Sequence, residues 1–155
     1  MTGRLSRLVR PILLGLAMAG ALALPAFAVE PIGFVKTLKG SAVVQRGGAP
    51  VPLAVGAPIF RLDLCETGRN ASLGISLRDN TLISLGPKTR LTIEEYAFEP
   101  VEQKYGLMLR LARGTMQYIS GLVAKLSPQS VQVTTPTANI AVRGTRFAVR
   151  VADGM

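Results

Sequence analysis

An all-β fold is predicted by three features of the chain: apolar residues recurring with period two, turn residues breaking them about every ten positions, and no sustained helical spacing beyond the N-terminus. Short strands of this kind build a sandwich, a roll or a solenoid-like stack, and the pattern leaves all three open because each buries one face of alternating strands. A length of 155 residues supports one compact domain with a modest core. Apolar content is 48% and aromatic content 5%, which suits small strands packed through aliphatic side chains better than a disordered tail.

The first segment stands apart from that fold. Arg4, Arg7 and Arg10 precede an uncharged apolar run over residues 11–27, and Ala26 and Ala28 form the small-x-small pattern that a signal peptidase accepts. Residues 1–28 therefore read as a signal peptide cleaved after Ala28, and residues 29–155 as an all-β domain delivered to the periplasm. An uncleaved anchor is the competing reading, since the run is slightly shorter than the ~20 residues that span a bilayer, and it is the one route to a membrane that the sequence offers. Pro25, Gly15 and Gly20 favour processing, and no Cys follows the run to mark a lipoprotein. Cleavage removes three arginines and no acid, so the formal charge falls from +9 to +6.

Strand by strand, Leu73, Ile75 and Leu77 alternate with Ser72, Gly74 and Ser76 before Arg78-Asp79-Asn80, where Asp and Asn favour a reversal. Ile83 and Leu85 form a short apolar pair closed by Gly86-Pro87, since Pro87 cannot donate to a ladder. Thr89, Leu91 and Ile93 place one face of the next strand. Residues 94–104 lose alternation and gather acids around Pro100, which reads as an exposed crossing loop. Leu107, Leu109 and Leu111 resume, Arg113-Gly114 is expected to turn the chain, and Met116, Tyr118 and Ser120 start the return strand. Residues 121–127 fit either a helical turn or a continuing strand, closed by Pro128. Val131 and Val133 lead to Pro136, and Ile140, Val142, Phe147, Val149 and Val151 supply a final apolar face.

Composition argues against several functions. The chain has no His, and its single Cys65 and few carboxylates show no spacing suited to a metal or a nucleophile, so no enzyme and no cofactor is expected. Glu94 and Glu95 are adjacent near a strand end, where neighbours point to opposite faces and cooperate poorly as acid and base. Cys65 reads as a small buried hydrophobe without an internal disulfide partner. Basic residues lack the interleaved aromatics of a nucleic-acid surface, so no nucleic-acid partner is expected. Charge is nevertheless uneven. Lys104, Arg110, Arg113, Lys125, Arg143, Arg146 and Arg150 face only Asp153 in the last part of the chain, whereas Glu94, Glu95, Glu99 and Glu102 cluster just before it. Such residues are either solvated strand positions or a surface for anionic envelope components or an acidic protein.

The run Val133-Thr134-Thr135-Pro136-Thr137-Ala138-Asn139-Ile140-Ala141-Val142-Arg143-Gly144-Thr145-Arg146-Phe147-Ala148-Val149 resembles the core of the FecR domain. Gly33-Phe34-Val35, Gly40 to Val44, Leu53 to Ile59, Thr67-Gly68, the strand over residues 71–77, Asp79-Asn80-Thr81, Leu109 and Gly114 continue the likeness over nearly the whole exported part. Asn80 stands where the family favours glycine, a mild departure in a left-handed turn. The resemblance implies a periplasmic all-β signalling module, known from regulators that relay an outer-membrane transport signal to a cytoplasmic sigma factor. Those regulators carry a sigma-binding region and a membrane helix before this domain. Here only a few basic residues precede the apolar run, so a standalone form without the anti-sigma region is implied. The family also adds further β-structure after the Arg143-Gly144-Thr145 strand, whereas the sequence stops at Met155. Either a minimal domain or a shortened product fits, the latter with a sheet edge open to a partner strand.

From the resemblance, Thr135, Pro136, Arg143, Gly144, Thr145 and Phe147 are expected to serve structure. Gly144 would take a backbone conformation other residues resist, Thr145 would bond the local backbone, and Arg143 would pair with a carboxylate such as Asp79 or lay its stem over the sheet. The functional alternative makes Arg143 and Arg146 a fork for a partner's carboxylate. Two functions follow: a signalling or adaptor module bound to an envelope protein, or a structural module binding cell-wall or surface polysaccharide.

Overall fold

The computed structural model describes residues 28–152, so the signal-peptide reading lies almost wholly outside the described residues, as does Asp153. Among the described residues twelve strands form: β1 (Gly33–Lys39), β2 (Ala42–Arg46), β3 (Ala49–Pro52), β4 (Pro58–Ile59), β5 (Leu64–Thr67), β6 (Ser72–Leu77), β7 (Leu82–Leu85), β8 (Arg90–Glu99), β9 (Lys104–Ile119), β10 (Val131–Thr134), β11 (Asn139–Ala141) and β12 (Arg146–Val151). Between β9 and β10 lie one short helix, α1 (Leu122–Leu126), and a 3₁₀ turn at Pro128–Ser130. No described helix is long and apolar enough to cross a membrane.

Strand pairing curls the sheet into a half-barrel around β9, the rolled arrangement among the three that the sequence allows. The N-terminal half of β9 runs antiparallel to β8 and parallel to β10, while its C-terminal half lies antiparallel between β7 and β12. One wing continues from β8 through β5 and β2 to β3, and the other from β7 through β6 and β1 to β4. β12 is bonded along one side, to β9, and among the described residues no strand pairs with its other side.

The two wings enclose one aliphatic core, in which Val44, Ile59, Ile83, Leu91, Ile93, Leu109 and Leu111 are fully buried. Each such Leu or Ile contributes on the order of 1.5–3 kcal/mol by leaving water. The expected alternation holds where a strand has one wet face: Leu73, Ile75 and Leu77 are buried along β6 while the residues between them are not. Asn80 turns the chain with φ +66°, as its place in the reversal anticipates.

Three expectations change. Residues 94–104 are not a loop: β8 and β9 extend as a hairpin to Glu99 and Lys104, and only residues 100–103 turn, with Gln103 at φ +52°. A register shift between Ile93 and Glu95 breaks the period two that would have revealed the strand. Arg113-Gly114 does not reverse the chain; β9 passes straight through with Gly114 at φ +91°, and the strand bends from one wing to the other. A Cβ on Gly114 would sit 2.5 Å from Thr89 Cα, so glycine here admits a close crossing. The last apolar residues also fail to share one face. Ile140 belongs to β11 beside β10, whereas Phe147, Val149 and Val151 alternate on β12 in the other wing.

Candidate functional site

Asp79, Thr81, Thr67 and Thr89 are consumed in holding the half-barrel together. Asp79 is fully buried at the β6–β7 turn. Its Oδ2 accepts hydrogen bonds from Thr81 Oγ1 at 2.7 Å and the Val123 N–H at 3.0 Å, and its Oδ1 from the Thr81 N–H at 3.2 Å and the Tyr96 hydroxyl at 3.3 Å. The Leu122 N–H donates to the Asp79 carbonyl at 2.8 Å and the Gly121 N–H to Thr81 Oγ1 at 3.2 Å. Asp79 thus ties the first turn of α1 to both wings. A Cβ on Gly121 would lie 2.7 Å from Thr81 Oγ1 and closer still to the backbone, so this approach requires glycine. Burial, reinforced by the Asp79 carboxylate, pushes the Tyr96 phenol well above its ordinary range.

Thr67, Thr89 and Thr115 form a second staple at the bend of β9. Thr67 Oγ1 donates to the Gly86 carbonyl at 2.6 Å and accepts from the Thr89 N–H at 2.9 Å, while Thr89 Oγ1 accepts from the Thr115 N–H at 3.0 Å. A third joins Arg46 on β2 to buried Asp63 through two hydrogen bonds of 2.9 and 2.6 Å, with the guanidinium 4.4 Å above the Phe60 ring. The Asp63 bond holds the Arg46 guanidinium more firmly protonated than usual. Nothing in the sequence announces this pair, whose members lie on separate segments and meet only through the β2–β5 register. Cys65 is fully buried, and desolvation pushes its thiol up to about 12, so the reading as a buried hydrophobe holds.

The Arg143-Gly144-Thr145 turn is different in kind. It carries the chain from β11 to β12, held through backbone carbonyls: Ser120 Oγ donates to the Gly144 carbonyl at 2.7 Å and the Ser120 N–H to the Thr145 carbonyl at 2.9 Å. Gly144 takes φ +126°, the positive conformation expected of it. The expected partners of its neighbours do not materialise. Arg143 is exposed and does not reach Asp79, which is buried and already bonded by Thr81, Val123 and Tyr96; the Thr145 side chain makes no hydrogen bond among the described residues.

A groove of about 610 Å³ opens between this turn and α1. Val142, Ala124 and Pro128 give it apolar walls, and Lys125, Arg143 and Gln129 line it with polar groups. Arg146, at the start of β12, is exposed but does not line the groove, so the suggested Arg143–Arg146 fork is not part of it. Thr135 and Pro136 lie elsewhere: Thr135 closes the β10–β11 turn on Ala138, with Pro136 exposed beside it. Phe147 stacks on buried Tyr118 with ring centroids 4.8 Å apart. Lys125, in sequence only one basic residue among seven near the C-terminus, joins Arg143 in the groove. Its signal is the absence of any Asp or Glu between Lys104 and Ala152.

Residues 63–155 match the family model for the FecR protein. The chain belongs to the FecR family. Asp79-Asn80-Thr81, Gly114 and the Arg143-Gly144-Thr145 turn all fall within the matched residues, whereas β1 to β4, which share the likeness in sequence, precede them. No curated protein and no solved structure matches the chain significantly. FecR membership makes it a signalling-related domain, in a family of signalling and regulatory rather than enzymatic character.

Proposed function

We propose that the chain is an exported, non-catalytic FecR module that works in the periplasm as a signalling adaptor by docking on a protein of the cell envelope. Residues 1–28 serve as its cleaved signal peptide and residues 29–155 as its working domain. The observation that carries this reading is the contrast among the residues that resemble the FecR pattern: Asp79, Thr81 and Thr67 spend their side chains on internal bonds, whereas Arg143 stands exposed on a groove wall with no internal partner among the described residues. A charged side chain kept free in a recurring pattern is available to another molecule.

Crosslinking of the processed protein in its native envelope, followed by mass spectrometry, tests the reading. One inner- or outer-membrane protein is the expected adduct, on a chain whose N-terminus is Val29. Recovery of wall glycan alone, in a form that salt releases, would replace the adaptor with a polysaccharide-binding module.

A further inference from the structure

We infer that the groove between α1 and the Arg143-Gly144-Thr145 turn binds an extended acidic segment of the partner protein, its carboxylates meeting Lys125 and Arg143 and an apolar side chain entering between them. This rests on the docking function proposed above and names its surface and chemistry.

Charge supports the acidic class. Residues 104–152 contain seven Lys or Arg and no Asp or Glu, and in the described ion pairs only Arg110 of these seven is neutralised, by Glu94. Among the described residues Lys125 and Arg143 thus put two cations without an ion pair on one concave surface whose lining holds no carboxylate. Arg143 presents a planar fork suited to a carboxylate, and Lys125 a point charge. The walls between them are apolar, with Val142 buried beneath and Ala124 and Pro128 at the sides, so a purely polar anion would leave them uncovered. A peptide reading acidic, apolar, acidic at every second residue covers both, because alternate side chains of an extended strand point to the same side.

Two other anionic partners fit less well. A sugar binds by laying its apolar face on an aromatic ring, and no aromatic residue lines the groove. A membrane surface calls for a convex basic face, whereas this site is concave, with its backbone fixed by Ser120. A second copy docking groove to groove is also disfavoured, because its corresponding surface carries the same two cations.

The test installs a photocrosslinking residue at exposed Gln129 in the groove and, separately, at exposed Val51 on β3, outside it, in the full chain in its native envelope. A protein adduct is expected from Gln129, reduced about tenfold by Arg143→Glu or Lys125→Glu while the urea midpoint of the purified variant stays put. Purified protein should likewise bind a labelled peptide repeating glutamate–serine–leucine–serine, which puts glutamate and leucine on one face, in preference to the counterpart with lysine for glutamate, with the preference fading as salt rises. A protein adduct from Val51 alone, or one from Gln129 indifferent to both charge reversals, overturns the groove while leaving the adaptor function standing. Adducts to glycan or lipid from Gln129 overturn the peptide, and no protein adduct from either position overturns the adaptor function as well.

Discussion

Asp79 and Arg143 sit in two turns within the residues that match the FecR model, and the half-barrel treats them in opposite ways. Asp79 is buried under α1 with both carboxylate oxygens occupied; Arg143 is exposed, and its turn is held only through the carbonyls of its neighbours. A charged residue removed from water must be fully hydrogen-bonded or it costs several kcal/mol, so Asp79 reports on folding. An exposed charge carries no such constraint, so Arg143 is free to report on recognition. Membership in a recurring motif therefore says little about a residue's task until its burial and partners are known.

The largest expected effect is on the buried turn. Asp79→Ala leaves the Val123 N–H and Thr81 Oγ1 without their acceptor in a dry site, and should lower stability by about 3 kcal/mol, read as a shift in the urea midpoint. Asp79→Asn, which keeps an acceptor oxygen, should lose less. Equal losses in the two variants would mean that the charge, not the pairing, matters most.

Two glycines sharpen the comparison, because both have positive φ but differ in surroundings. Gly114→Ala adds a Cβ that collides with Thr89 in the bend of β9, in addition to its conformational strain, and should cost about 3 kcal/mol. Gly144→Ala meets nothing within 4 Å and should cost only the conformational part, about 1–2 kcal/mol. Thermal unfolding of the two variants separates steric from conformational cost.

Alkaline pH probes the interior next to the staples. The folded state holds the Cys65 proton to about 12 whereas the unfolded thiol releases it near 9, so above pH 9 the unfolded chain binds fewer protons than the folded one. Stability contributed below pH 9 is then lost as pH rises toward 12, with a slope of about 1.4 kcal/mol per pH unit. Tyr96 and Tyr118, also pushed up mainly by burial, act in the same direction at higher pH. Cys65→Ala should flatten the profile between pH 9 and 10; an unchanged slope would assign the alkaline loss to the tyrosines.

Much of the fold is written in the sequence wherever one strand face is wet and the other dry. Leu73, Ile75, Leu77, Leu107, Leu109 and Leu111 all face the core as their alternation requires. The reading failed where that rule has nothing to act on. Along the β8–β9 hairpin a register shift at Ile93 and half-exposed residues such as Tyr96 and Phe98 blur the period, and acids near Pro100 mimic a loop. At Gly114 the residues of a tight turn instead serve a bend, because what decides between them is Thr89, a residue just ahead of β8 and distant in sequence. The Arg46–Asp63 pair and the groove were illegible for the same reason: each is assembled by register between separate segments.

The smallest expected change in stability belongs to Arg143, and it is the most informative. Arg143→Lys and Arg143→Ala should each move the urea midpoint by the equivalent of at most about 0.5 kcal/mol, since an exposed side chain with no internal ion pair has little to lose. If the planar fork grips a carboxylate through two parallel hydrogen bonds, Arg143→Lys should weaken binding of the glutamate–serine–leucine–serine peptide nearly as much as Arg143→Ala, because an ammonium cannot reproduce that geometry. Full binding by the lysine variant would reduce the role of Arg143 to plain charge, interchangeable with that of Lys125. A destabilisation matching that of Asp79→Ala would erase the division between the two turns and place Arg143 among the residues that hold the half-barrel closed.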